Sequence, residues 1–115
     1  MEQLRQLIGN SGGWKIIGSS LGGLMATWFA LESSHQVDRL ILLAPALPWL
    51  PRERIATIYV ATIVYHGKHD DTVPLENTRQ IAQQVFANLV FHEVNDNHGL
   101  GRTVQIIDWP ALLKS

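Results

Sequence analysis

Four short apolar runs, at residues 14–18, 39–44, 60–65 and 89–94, alternate along this chain with stretches whose apolar residues recur at helical spacing. That alternation is the strongest constraint on its fold. The run at 39–44 is apolar almost throughout, as in a strand buried on both faces, whereas a half-exposed antiparallel strand would alternate. Strands alternating with helices call for right-handed crossovers and a parallel sheet covered on both sides. The expected architecture is therefore α/β, a parallel sheet of about four strands with helices on both faces. Helices are expected over 21–32, after Pro74 with Ile81, Ala82, Val85 and Phe86 facing inward, and over 103–113, although Pro110 argues against the last. Leu24, Trp28 and Leu31 are expected on the inner face of the first. Residues 2–8 read as the end of a helix stopped by the glycine-rich stretch that follows. The segment 46–57, with Pro48 and Pro51, is the longest irregular connection and too short for a lid.

At 115 residues the chain has the length of one domain, spanning 1–115. Its 46% hydrophobic and 17% charged content fits a folded globular protein. A net charge of −1 supplies no field to gather nucleic acid or an anionic membrane surface, and neither partner is expected. With no cysteine, a disulfide framework, a thiol nucleophile and thiolate metal sites are all excluded. No signal-peptide pattern opens the chain and no apolar run reaches membrane-spanning length, so a cytoplasmic location is expected.

The chemistry concentrates in Gly18-Ser19-Ser20-Leu21-Gly22-Gly23, which matches G-x-S-x-G between an apolar strand and an amphipathic helix. A nucleophile on so sharp a turn needs very small neighbours two residues away on each side, the places held by Gly18 and Gly22. The turn would leave the Ser20 hydroxyl at the carboxyl edge of the sheet and the Leu21 N–H at a helix N-terminus, where it can stabilise an oxyanion. Alone, such a motif arises by chance in about 4% of chains this long. A phosphate-binding turn is the competing reading, but neither of the usual glycine-rich phosphate signatures fits residues 9–23.

A serine needs a histidine to take its proton and a carboxylate to orient that histidine. The third apolar run leads into His66-Gly67-Lys68-His69-Asp70-Asp71-Thr72-Val73-Pro74, and the fourth into Asp96-Asn97-His98-Gly99. An acid and a base thus follow the serine in chain order, each in a loop beyond a strand, on the edge where open α/β sheets place their ligands.

With these three motifs together, the chain resembles the α/β-hydrolase superfamily, and its segment Met25-Ala26-Thr27-Trp28-Phe29-Ala30 is similar to that of small lidless bacterial esterases of the YqiA type. The resemblance covers 14–113 and implies Ser20 as nucleophile, Asp70 as acid, His98 as base and Leu21 as oxyanion donor. It also implies a missing part: the family's upstream strands and its H-G-type loop, source of a second oxyanion donor, have no counterpart before Trp14. The chain is accordingly expected to correspond to the carboxyl-terminal half of such a fold. Strand 14–18 should then be an exposed sheet edge that recruits a second copy into a homo-oligomer.

Other residues have plainer readings. Asp71 adjoins Asp70 and competes for the acid's role, with the motif alignment favouring Asp70. Asp96 reads as a turn-former or hydrogen-bond partner. His66 closes a strand and packs, His69 lines the rim, His35 sits in a polar turn and His92 in a strand. A metal site built from these histidines and aspartates lacks any recognised ligand spacing, so no metal and no cofactor are expected. Trp14, Trp28 and Trp109 read as core. Trp49, with Leu47, is placed as a wall of an acyl pocket or as simple packing. The function expected is hydrolysis of small acyl esters or thioesters through an acyl-enzyme on Ser20. The alternative is a silent hydrolase remnant serving as a binding or assembly module.

Overall fold

The computed structural model describes residues 4–8 and 13–114. One five-stranded sheet runs in the order β1 (Leu4–Ile8), β2 (Trp14–Ser19), β3 (Val37–Leu43), β4 (Ala61–Gly67) and β5 (Leu89–Val94). β2 to β5 are parallel throughout. Four parallel strands were expected, and their positions agree with the apolar runs to within two residues at each end. Two of the crossovers are helical, α1 (Leu21–Ser33) between β2 and β3 and α2 (Leu75–Val85) between β4 and β5. The third, between β3 and β4, is the proline-containing segment, folded into two short 3-10 turns, Leu47–Trp49 and Arg52–Arg54.

Two expectations fail at the amino-terminal side. The stretch read as a helix is the strand β1, and it pairs antiparallel with β2, Leu4 opposite Gly18 and Ile8 opposite Trp14. A run as short as Leu4-Arg5-Gln6-Leu7-Ile8 has too few residues for periodicity to separate helix from strand. The need to satisfy the backbone groups of β2 decides it. For the same reason strand 14–18 is not an exposed edge: β1 covers one side and β3 the other. The homo-oligomer argued from an open strand there loses its basis.

Alternation along the strands divides the core. Ile16, Leu40, Leu42 and Val64 face α1 and α2 and join Leu24, Ala26, Ala30, Ala82 and Val85. On the opposite face Ile17, Leu43 and Tyr65 pack with Leu100, Ile107 and Trp109. That face is covered by two short helices, α3 (Gly101–Ile106) and α4 (Trp109–Lys114), where one closing helix over 103–113 was expected. The break falls at 107–108, and Pro110, which has no N–H to donate, sits in the first turn of α4 where none is needed. Lys15 Nζ and Arg39 Nη1 reach from the sheet to the carbonyls of Leu113 and Leu112, tying down the end of that helix at 2.7 and 3.0 Å.

α1 shows how an apolar helix misleads periodicity. Its innermost residues are Gly22, Gly23, Ala26, Thr27 and Ala30 together with Leu24, while Trp28 and Leu31 are only half-buried. Small residues let the helix lie close to the sheet, and the bulky ones are displaced to its flanks.

Candidate active site

The carboxyl ends of β2, β4 and β5 all open on one edge of the sheet, and each delivers one polar side chain there. At the end of β2, Ser20 takes φ 54°, ψ −117°, a conformation that non-glycine residues rarely adopt. The backbone around it makes this tolerable: Ser20 N–H donates to Leu43 O (2.9 Å), and Ser20 O accepts from Ala46 N–H (2.9 Å) and Gly23 N–H (3.0 Å). Gly18 meets its expected constraint, since a Cβ there would stand 2.4 Å from Gly22 O. The side chain of Leu21 is exposed, and its N–H, at the first position of α1, has no hydrogen-bond partner among the described residues.

The loop after β4 is built around Asp70. Its Oδ1 accepts the N–H groups of Thr72 (2.8 Å) and Val73 (2.7 Å), closing a tight turn, and its side chain has no exposed surface. Burial by itself would raise the Asp70 carboxyl. The Val73 N–H, the His98 ring and the Thr72 N–H outweigh it and hold the group below the usual carboxylate range.

The loop after β5 carries His98 and passes close over the Asp70 loop. Gly67 makes that approach possible: a Cβ on it would lie 2.3 Å from Asp96 O. Two backbone bonds join the loops, Lys68 N–H to Val94 O (2.8 Å) and His69 N–H to Asp96 O (3.0 Å). A third link is the His69 ring, whose Nε2 lies 2.9 Å from Asn95 Oδ1. Beyond His98, the Asp96 carboxylate accepts from the N–H groups of Thr103 and Asn97, the Thr103 hydroxyl and Arg102 N–H. Those bonds hold its pKa down. Asp96 thus anchors the start of α3, the hydrogen-bond role read for it.

Ser20, His98 and Asp70 come together in a line. Ser20 Oγ is 3.1 Å from His98 Nε2, and His98 Nδ1 is 2.8 Å from Asp70 Oδ2. An ionised carboxylate only accepts, so Nδ1 carries the proton and Nε2 is left to accept from the Ser20 hydroxyl. Asp71 is exposed, and among the described residues its carboxylate hydrogen-bonds only the Thr72 hydroxyl, at 3.3 Å. His35 is exposed, and His92 is exposed and stacks on the Tyr65 ring at 4.7 Å. Trp14, Trp28 and Trp109 are half-buried at the margins of the core. Leu47 is fully buried in the core, whereas Trp49 is 57% exposed. The 3-10 turn that holds them points consecutive side chains in different directions, which separates the pair. Among the described residues no group of three or more histidines and carboxylates is arranged to hold a metal ion, and no helix is long and apolar enough to cross a membrane.

His66 is the residue whose importance sequence reasoning missed. It is fully buried, as expected of a packing residue, but its Nε2 lies 2.8 Å from Val73 O and 3.2 Å from Asp70 Oδ2. Its place four residues before Asp70 was the available signal.

The model of the alpha/beta hydrolase fold family matches residues 1–61, more than half of the 115. The chain belongs to this family. Solved hydrolases share its fold. A predicted CIB-like hydrolase from Thermoplasma acidophilum is 25% identical with a TM-score of 0.65, over 73% of this chain and 41% of that one. An alpha-beta serine hydrolase homologue from Coxiella burnetii is 21% identical with a TM-score of 0.66, over 77% and 43%. Est1E from Butyrivibrio proteoclasticus is 18% identical with a TM-score of 0.62, over 77% and 54%. The alpha/beta hydrolase chain described here therefore spans roughly half the length of these relatives or less. No curated protein matches it.

Acid should weaken this fold through two buried groups of the site. Burial lowers the His66 pKa, more than the nearby Asp70 charge and the Val73 carbonyl raise it. Between its lowered folded pKa and about 6.5, the unfolded chain binds a proton that the folded chain does not, so stability falls as pH drops through that window. Asp70 has the same sign over a lower window, from about 3.9 down through its depressed folded value. Urea unfolding midpoints should therefore decline from pH 7 toward pH 5 and drop further below pH 4. A flat profile from pH 7 to pH 5 would mean that His66 is not buried and neutral.

Proposed function

We propose that this chain carries the acyl-transfer site of a serine ester hydrolase acting on small acyl esters or thioesters. The observation behind this reading is the unbroken hydrogen-bonded line from Ser20 Oγ through the His98 ring to Asp70, drawn from three separate loops. In the proposed reaction Ser20 Oγ attacks the ester carbonyl carbon while His98 Nε2 takes the hydroxyl proton. Asp70 keeps the ring in the Nδ1–H tautomer and stabilises the imidazolium that forms. The negative charge on the carbonyl oxygen is received by the Leu21 N–H at the start of α1. Collapse of the tetrahedral adduct breaks the bond to the alcohol or thiol, which leaves with the proton from His98. Water, deprotonated in turn by His98, then hydrolyses the acyl-Ser20 ester and frees the acid.

A fluorophosphonate probe tests this directly. The folded 115-residue chain should be phosphonylated on Ser20, located by peptide mass spectrometry, and Ser20→Ala should abolish the label. Labelling of Ser19, or of no serine in folded protein, would sink the proposal.

One observation favours a second reading, a binding or assembly module without turnover: the chain matches roughly half or less of each solved relative's length. The two readings separate on whether labelled Ser20 is accompanied by multiple turnovers of p-nitrophenyl acetate.

A further inference from the structure

Four groups face the Asp70 carboxylate, three of them hydrogen-bonded to it, and the fourth is not explained by turn formation or by the Ser20–His98 line. Oδ1 is taken by Thr72 and Val73 N–H and Oδ2 by His98 Nδ1, while His66 Nε2, which donates to Val73 O, stands 3.2 Å from Oδ2. We propose that His66 is a positioning residue, whose Nε2–H, bonded to the Val73 carbonyl and directed past Asp70 Oδ2 at 3.2 Å, holds the loop so that Oδ2 is presented to His98. The inference rests on the triad reading above and adds to it a fourth side chain.

The protonation state follows from the contacts. Nε2 faces two acceptors, Val73 O and Asp70 Oδ2, and must carry a hydrogen to meet either. Nδ1 is buried with no partner among the described residues. A second hydrogen there would be a buried donor with nothing to receive it, a costly arrangement. His66 is thus held as the neutral Nε2–H tautomer, a fixed donor that does not compete with His98 for protons. Its surroundings agree: Asp70 is on its own loop, His98 on the next, and Glu93, alongside it on β5, is engaged by Arg79 of α2. The bond to Val73 O ties His66 to the same residue whose N–H holds Oδ1.

The decisive variants are His66→Leu, which removes the donor, and His66→Gln, whose amide N–H₂ can occupy the place of Nε2. Nitrogen-15 NMR of the unaltered protein should find His66 neutral with the hydrogen on Nε2. Carbon-13 NMR should show the Asp70 carboxyl titrating at higher pH in His66→Leu, because a polar N–H facing its charged form is gone and the turn that holds Oδ1 loosens, and returning toward the native midpoint in His66→Gln. Phosphonylation of Ser20 should show a maximal rate lowered by about tenfold in His66→Leu with probe affinity unchanged, and largely recovered in His66→Gln. A His66 hydrogen on Nδ1, or an Asp70 midpoint identical in His66→Leu and the native chain, overturns the proposal. The tautomer is read in the unaltered protein, so it decides the matter even if His66→Leu does not fold. Absence of Ser20 labelling in the native chain would instead count against the triad reading, and the two NMR measurements would still judge the role of His66.

Discussion

Replacing Asp70 with Asn is expected to lower ester turnover by about 10⁴-fold while leaving the fold in place. The amide is nearly the same size, but it has lost one acceptor. Its Oδ1-like oxygen can keep the Thr72 and Val73 N–H groups, which fixes the turn. The –NH₂ then faces His98 Nδ1, and a donor cannot accept from a donor. The ring responds by moving its hydrogen to Nε2, the tautomer in which it can no longer take the proton of Ser20. The same substitution at Asp71, which is exposed and among the described residues hydrogen-bonds only the Thr72 hydroxyl, should change turnover less than about threefold, within the range of ordinary surface replacements. Steady-state rates on p-nitrophenyl acetate for the two variants would settle the identity of the acid, and equal losses would remove Asp70 from that role.

His98→Ala should cost more, up to about 10⁶-fold, because it removes the only group placed to receive the Ser20 proton at 3.1 Å among the described residues. The informative comparison is with the double variant His98→Ala, Asp70→Asn. If the carboxylate acts through the imidazole, nothing is left for it to orient, and the double variant should be no slower than His98→Ala. Losses that multiply instead would mean that Asp70 contributes to the reaction by some other route, such as a field felt directly at the substrate.

The parts of this molecule that could be foreseen are those in which local chemistry and tertiary role coincide. β3 is legible because a strand buried on both faces must be apolar at every position, and Leu40, Ile41 and Leu42 are all fully buried. The sharp turn at Ser20 is legible because the crowding at Gly18 leaves room for no side chain. Asp70 stands out through its place in the loop motif, although the turn it closes on its own backbone shows only in the structure. What escaped has a common cause, the dependence of one segment on another. Leu4–Ile8 forms a strand because β2 offers it unpaired backbone, which no property of those five residues announces. Trp28, expected inside, is displaced to the flank while Ala26 and Ala30 lie innermost, because packing distance, set by the sheet below, outweighs hydrophobicity. His66 appeared to be filler, because a buried histidine and a positioning residue differ only in what lies three ångströms away.

β5 is the outermost parallel strand, with Val90 about half exposed and His92 and Glu93 open to solvent, yet it carries the loop that holds His98. The strands that carry Ser20 and Asp70 lie further inside. Terminal strands of a sheet open at lower free energy than central ones, through local fluctuations that leave the remainder intact. Each such opening would withdraw His98, the proposed base, from Ser20, 78 positions away, while the turn at Ser20 stays formed. The fraction of molecules competent at any instant is then governed by the fraying equilibrium of one peripheral strand. Mild heat or denaturant would silence the site well before the core melts, and hydrogen exchange at the amides of 89–94 would track that loss more closely than any global unfolding signal.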